Sequence, residues 1–300
     1  MSAVDPLAPV TGRRRRSDVL ARGTIAALTF VALIPLVLVV YYLLKRGLGA
    51  LDSSFFTSDP TGNFLGDQGG VRSAIFGTIE MVALATLIAV PLGWGVALYL
   101  VEFGKKSKFA HAVRYFVDVM TGVPSIVFGL FIYITLVLTK VGGTSFAGYK
   151  GSLALALLML PVVARSAEVV LLLVPESLRE AALALGAPRW KVTMRIVIPT
   201  ALPGLITGAM LAVARAAGET APLLFTAAAV FGISFNLNER MNSLPAQIFA
   251  DVSSPNDALV QRAWGAALTL VAMVFILTLI ARLAQRRSRL TLPTSIRLEP

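Results

Sequence analysis

Cysteine is absent from the 300 residues, and histidine occurs once, at His111. Without thiols there is no disulfide framework, no thiolate nucleophile and no cysteine-based metal site. The lone histidine lies in a basic loop and has no assignable role. Charge is also scarce: 14% of the residues are Asp, Glu, Lys or Arg, against about 25% in soluble domains. No G-x-x-x-x-G-K-[ST] phosphate loop occurs anywhere, so a nucleotide would have to sit on another chain. What the sequence has in abundance is apolar surface. Hydrophobic residues make up 56% of it and the mean hydropathy is +0.78. The solvent for most of this chain is lipid.

Six apolar stretches, roughly 23–44, 71–101, 113–139, 151–174, 201–230 and 259–283, reach the roughly 20 residues a membrane helix needs. The first is too long for a signal-peptide core and lacks a small-residue cleavage site, so it reads as an uncleaved span. Pro35, Pro91, Pro124, Pro161 and Pro203 fall inside the stretches; neighbouring helices can satisfy the backbone groups that they free. The formal charge is +11 and the isoelectric point about 10.4. No nucleic-acid-reading motif accompanies these cations, which flank the apolar runs and hold loops in the cytoplasm. With six spans and the N-terminus inside, eighteen cations fall in cytoplasmic segments and seven in outer ones. Both termini are therefore expected in the cytoplasm. The expected layout is a disordered basic tail over 1–22 near anionic lipid, a first span and outer loop over 23–70, a core over 71–283, and a cytoplasmic tail over 284–300. The outer loops 45–70, 140–150 and 231–258 read as connections with room for a short helix.

One cytoplasmic loop, residues 175–200, is charged and punctuated. Pro175 can open a helix, Ser177 to Leu185 are mostly helix formers, and Gly186 can end that helix in a left-handed conformation. Pro188 can open a second short helix, in which Trp190, Met194, Val197 and Ile198 share one apolar face. Arg189, Lys191 and Arg195 are left to water. Such short helices are marginal alone. They must lie on the membrane surface, on the protein's own bundle, or in a groove of a cytoplasmic partner.

Glu180-Ala181-Ala182, then Gly186, then Ile196, then Ile198-Pro199 resembles the Glu-Ala-Ala loop of ABC-importer permeases, with Ile198 where leucine is usual. Gly122-Val-Pro-Ser-Ile-Val-Phe-Gly129 and Arg215-Ala-Ala-Gly-Glu-Thr-Ala-Pro-Leu-Leu-Phe-Thr226 resemble the phosphate-specific members, and the A-type subunit more than its C-type sister. The similarity covers roughly 71–283. It implies an all-α, polytopic bundle of the type I importer kind, with six transmembrane helices in a bacterial inner membrane. It implies a coupling loop in which Glu180, Ala181, Ala182, Gly186, Pro188, Arg189 and Trp190 meet the ATPase. The partners implied are a sister permease, two copies of an ATPase that hold ATP and Mg, and an extracytoplasmic phosphate-binding protein. No cofactor or metal is expected on this chain, and no catalytic residue.

Charges inside spans need a reason, since each costs at least about 2.5–3.5 kcal/mol. Arg165 and Glu168 are three apart, Arg215 and Glu219 four apart, so each pair can share a helix face and neutralise itself. For phosphate, a guanidinium offers a planar fork that stays charged when buried. Arg215, with Thr220 as a further donor and Glu219 to prevent overly tight holding, is expected to line the path, with Arg165 and Glu168 behind it. The small residues from Gly204 to Gly218 read as helix packing. Glu80 has no sequence-local partner and its role stays open; Asp118 reads as wet. The rival readings are a permease for sulfate or molybdate, an ion-driven carrier, which would leave the elbow without a purpose, and a membrane enzyme or receptor, which no constellation supports.

Overall fold

The computed structural model describes residues 12–61, 69–104, 107–228 and 232–289, which are almost entirely helical and contain no strand. The first helix, α1 (Gly12–Gly47), is long and apolar enough to cross a membrane, and its apolar stretch buries almost nothing within the chain. It begins at Gly12, so residues 12–22 are helical rather than a disordered tail; residues 1–11 lie outside the described part. The reason is propagation: once the apolar span is helical, each added arginine or alanine gains a hydrogen bond without a new nucleus. At the other end the last helix likewise runs six residues into the expected tail.

After α2 (Ser53–Thr57), capped by the Asp52 carboxylate, comes α3 (Arg72–Leu98), which continues as a π turn over Tyr99–Phe103. The third apolar stretch is two helices, α4 (Lys108–Gly122) and α5 (Ser125–Ile132, then a π turn to Val137), bent by 103°. Pro124 causes the bend: its ring pushes the residue before it out of the helical region, and Val123 is extended at ψ 129°. The remaining helices are α6 (Gly148–Leu172), the elbow helices α7 (Glu176–Ala184) and α8 (Arg189–Val192), α9 (Ile198–Ala217), α10 (Ala221–Thr226), α11 (Leu244–Val252) and α12 (Asp257–Arg289). Two expectations need correction here. The fifth span starts at Arg189, because α8 runs into α9 through a π turn. It also ends at Ala217, because Gly218-Glu219-Thr220 breaks it before α10.

Close approaches at glycine fix how the helices run. A Cβ on Gly151 would stand 2.9 Å from Met81, and one on Gly93 would stand 2.7 Å from Val163. Both pairs are 70 residues apart, so α3 and α6 run parallel in constant register. A Cβ on Gly204 would meet Val170 at 2.6 Å and one on Gly208 would meet Ser166 at 2.5 Å, so α9 runs antiparallel to α6. The end of α1 at Gly47 meets Trp264 and Leu268 near the start of α12. Because α3 and α6 run parallel, the bent pair between them must cross from one side to the other. As a broken span rather than a re-entrant loop, it brings the candidate crossings among the described residues from five to six.

The core sits on the α3–α6–α9 triangle. Met81, Ala85 and Ala89 pack with Leu155, Met159, Val163, Ala212 and Ala216. At the elbow end Ala97, Val101, Leu171, Ala182, Val192 and Val197 form a second cluster. At the far end Phe55, Val71, Ala74, Leu244 and Ala266 form a third. Alanine and glycine dominate the helix seams because lipid supplies no hydrophobic drive between helices, and close packing must replace it.

Candidate functional site

The α9 break holds Arg215, Glu219 and Thr220. Arg215 Nε stands 3.4 Å from Glu219 Oε1, with the arginine 56% exposed and the carboxylate 16%. Neither Nη of Arg215 meets an acceptor among the described residues. Thr220 precedes α10, and its hydroxyl makes no cap bond. On α9, Gly204, Gly208, Leu211 and Arg215 fall on one stripe at helical spacing. Two of them line an open depression of about 640 Å³ that also contains Thr121, Arg165, Ser166 and Thr207. The antiparallel register sets Gly208 beside Ser166, which places Arg215 level with Met159. Arg165 on α6 and Arg215 on α9 are thus separated by roughly 9 Å of helix rise and do not form a single cluster.

Arg165 belongs to a four-charge cluster. Its Nη1 donates to Glu168 Oε2 at 2.8 Å, while Arg114 Nε donates to Glu168 Oε1 at 2.7 Å. Asp118 Oδ1 lies 3.6 Å from Arg165 Nε. Glu168 is buried between two guanidiniums, so the pair read from sequence is a network, and Asp118 faces a cation rather than only water. Charge counting puts Arg114 in a cytoplasmic loop; it lies instead on α4, a turn before Asp118, and reaches α6 across 54 residues of chain.

The elbow has the expected break. Gly186 adopts φ +80°, a left-handed conformation that costs other residues roughly 1–2 kcal/mol, and Pro188 precedes α8. Glu180, Ala181, Gly186, Pro188, Arg189 and Trp190 are exposed, while Ala182 is buried in the elbow-end cluster. The expected apolar face of the second helix is not formed. The π turn over Thr193–Val197 inserts one residue per turn, which shifts the register. Val192, Thr193 and Val197 turn inward, and Trp190 and Met194 turn outward at 62% and 59% exposure.

Other charged groups were not legible in sequence. Lys150, counted among the outer cations, is fully buried, and its Nζ donates to the carbonyls of Leu136, Thr144 and Ser145 at 2.9, 2.5 and 3.1 Å. Arg262, also counted there, grips Asp251 with two bonds of 2.8 and 2.7 Å. From Asp251 a buried chain runs through Gln247 to Asn242, and Leu244 N donates to Thr78 Oγ1 on α3. This chain seats α11 against α3 and α12. Glu80 Oε2 is buried and meets no hydrogen-bond partner among the described residues. No cluster of three or more His, Asp or Glu side chains suited to a metal occurs among the described residues.

Residues 89–290 match the family described as binding-protein-dependent transport system inner membrane component. The chain belongs to the binding-protein-dependent transport permeases. Among its relatives in that family is the phosphate transport system permease protein PstA 1 of Mycobacterium tuberculosis, 40% identical over 291 residues that cover 95% of this chain and 94% of that protein. Another is the phosphate transport system permease protein PstA of Haemophilus influenzae, 41% identical over 246 residues, covering 82% and 85%. The fold agrees with a bacterial alginate ABC transporter crystallised with its periplasmic protein, at a TM-score of 0.63 and 16% identity over 92% of this chain and 97% of that one. The permease is thus a multi-pass membrane subunit of an ABC importer and not itself an enzyme, and such a subunit works with another permease, an ATPase and a substrate-binding protein.

Proposed function

We propose that this permease forms one half of the membrane path of an ATP-driven phosphate importer in a bacterial plasma membrane, with both termini and the elbow in the cytoplasm. The observation that carries the cargo is the phosphate-transport name of relatives about 40% identical over most of the chain. Sulfate, molybdate and ion-driven transport gain no support from them. Phosphate released from an extracytoplasmic binding protein enters at the outer end of α6 and meets Arg215. The two uncommitted Nη groups suit a tetrahedral oxyanion, and Glu219 beside them keeps the hold weak enough for release. Farther in, on the neighbouring helix α6, stands Arg165. Glu168, shared with Arg114, already offsets part of its charge, so this station holds phosphate more loosely and hands it on to the cytoplasm. A sister permease closes the path from the other side.

The stroke comes from outside the chain. ATP and Mg bind two ATPase subunits, which meet the exposed face of the elbow through Glu180, Ala181, Gly186, Pro188, Arg189 and Trp190. Ala182 anchors that elbow to the bundle. The chain makes and breaks no covalent bond. The test is uptake of labelled phosphate by cells lacking this chain and complemented with it, with excess unlabelled sulfate as competitor. Restored, sulfate-insensitive uptake that Arg215→Ala abolishes while still assembling is the expected result. Uptake that sulfate suppresses reassigns the cargo, and uptake indifferent to Arg215→Ala removes Arg215 from the path.

A further inference from the structure

The groups that the proposed path leaves unused include a buried pair at the elbow. Arg179 directly precedes Glu180, and a sequence count places it among the wet loop cations. Instead its side chain is only 12% exposed and that of Glu102 only 10%. Arg179 Nε and Nη2 both donate to Glu102 Oε1, at 3.1 and 3.0 Å. Nη1 donates to Val174 O at 2.7 Å and Nη2 to Leu171 O at 2.9 Å. Those carbonyls lie at the end of α6, where the last turn lacks its full set of helical donors. Glu102 belongs to the π turn that ends α3. One guanidinium therefore ties three elements together: the end of α3, the end of α6 and the elbow helix α7. The joint also borders a cleft of about 190 Å³ between α7 and α8, whose wall includes Glu180 and Arg189.

Besides this joint, Ala182, Val192 and Val197 of the elbow pack with Ala97 and Val101 at the end of α3, and such apolar contacts are non-directional. Force applied to the elbow would slide past α3 unless a directional, desolvated link resisted it. A guanidinium holding a carboxylate and two carbonyls is such a link, because its fork is planar and its donors are fixed in direction. The constant register of α3 on α6 then carries any shift of these ends along the whole core.

We propose that Arg179 and Glu102 are positioning residues for energy coupling: together they transmit displacement of the elbow into α3, and so into the α3–α6–α9 core. The proposal rests on the reading of the chain as an ATP-driven permease, but not on phosphate as its cargo. The pair touches no substrate.

The chain has no native cysteine, so Leu92→Cys, at an exposed position on α3, gives a single thiol on this subunit. The experiment follows its labelling by a maleimide in the full reconstituted complex, assembled with a cysteine-free ATPase and sister permease, with and without ATP. The labelling rate should change about fivefold or more on ATP binding, within the range of ordinary coupling energies. Glu102→Ala should erase that dependence while ATP hydrolysis per assembled complex stays within about twofold. A merely structural pair would lower the melting temperature and leave the ATP dependence intact, which overturns the proposal. Should Glu102→Ala fail to assemble, Arg179→Lys decides: it keeps the charge but loses the fork, and an ATP response equal to wild type refutes the joint. A wild-type complex whose thiol ignores ATP refutes it as well. Failure of the phosphate assignment shows instead in the uptake assay and leaves this readout untouched.

Discussion

Arg165 on α6 and Arg215 on α9 differ in what each already holds. Arg215 has one long contact with Glu219, whereas Arg165 is held at 2.8 Å by a carboxylate that a second arginine shares. Arg215→Lys keeps the charge and loses the planar fork. We expect a drop in phosphate uptake of about tenfold or more, equal to about 1.4 kcal/mol of lost stabilisation. Glu219→Gln should act the other way on binding: half-saturation falls and maximal uptake falls with it, since a tighter station releases slowly. Concentration series of labelled phosphate separate the two effects. A third residue gives a pH test away from the membrane core. Asp52 accepts the Phe55 backbone N–H at 2.6 Å and the Ser54 hydroxyl, and these bonds to its ionised form hold its pKa below the ordinary carboxylate value. A depressed folded pKa means the stabilisation is whole above the unfolded value and is lost as pH falls through the folded one. Thermal unfolding of wild type and Asp52→Asn should therefore differ at neutral pH and converge in acid; a difference that persists in acid contradicts the cap's ionisation. Side chains three or four apart are legible in the sequence because the helix itself brings them together. Arg114 with Glu168, Arg179 with Glu102 and Lys150 with three loop carbonyls are not, because packing between elements decides them.

At the scale of elements, the helices were legible and their interruptions only partly so. Gly186 and Pro188 mark the elbow through backbone preference, which is local. The bend at Val123-Pro124 was visible as a proline but not as a 103° turn, since Pro35, Pro91, Pro161 and Pro203 stay inside unbroken helices. Trp190 faces outward because a π turn, which no hydrophobic spacing announces, rotates the helix on one side of it relative to the other. The outer loop was expected to hold a short helix. What seats α11 is a polar chain that composition conceals. Asp251 and Arg262 are 4% and 7% exposed, so truncating Asp251 removes two charge-assisted hydrogen bonds from a buried guanidinium. Asp251→Ala should lower unfolding stability by about 3–5 kcal/mol. Replacing both residues by apolar ones of similar volume should recover much of that loss. Thermal unfolding in detergent would show it, and a double variant no better than the single would mean that α11 relies on packing alone.

For the whole molecule, the decisive number is parity. Charge bias alone puts both termini on one side, but a bias tolerates exceptions, and the bent α4–α5 pair is short enough on each limb to be read as a loop that dips in and returns. Geometry removes that freedom. Constant register at Met81–Gly151 and Gly93–Val163 makes α3 and α6 parallel, and two parallel helices need an odd number of crossings between them. Three single cysteines test this in a chain that has none of its own: His111→Cys at the start of α4, Val141→Cys after α5, and Leu185→Cys on the elbow, all exposed. A membrane-impermeant maleimide should reach Val141→Cys in intact spheroplasts. It should reach His111→Cys and Leu185→Cys only in inverted vesicles. Labelling of His111→Cys and Val141→Cys from one side would make the pair re-entrant, and the parallel packing of α3 on α6 would then be impossible. Leu185→Cys reached from outside would leave the fold standing but place the elbow where no ATPase could dock, which is how the coupling argument depends on the direction of six crossings rather than on the elbow's sequence alone.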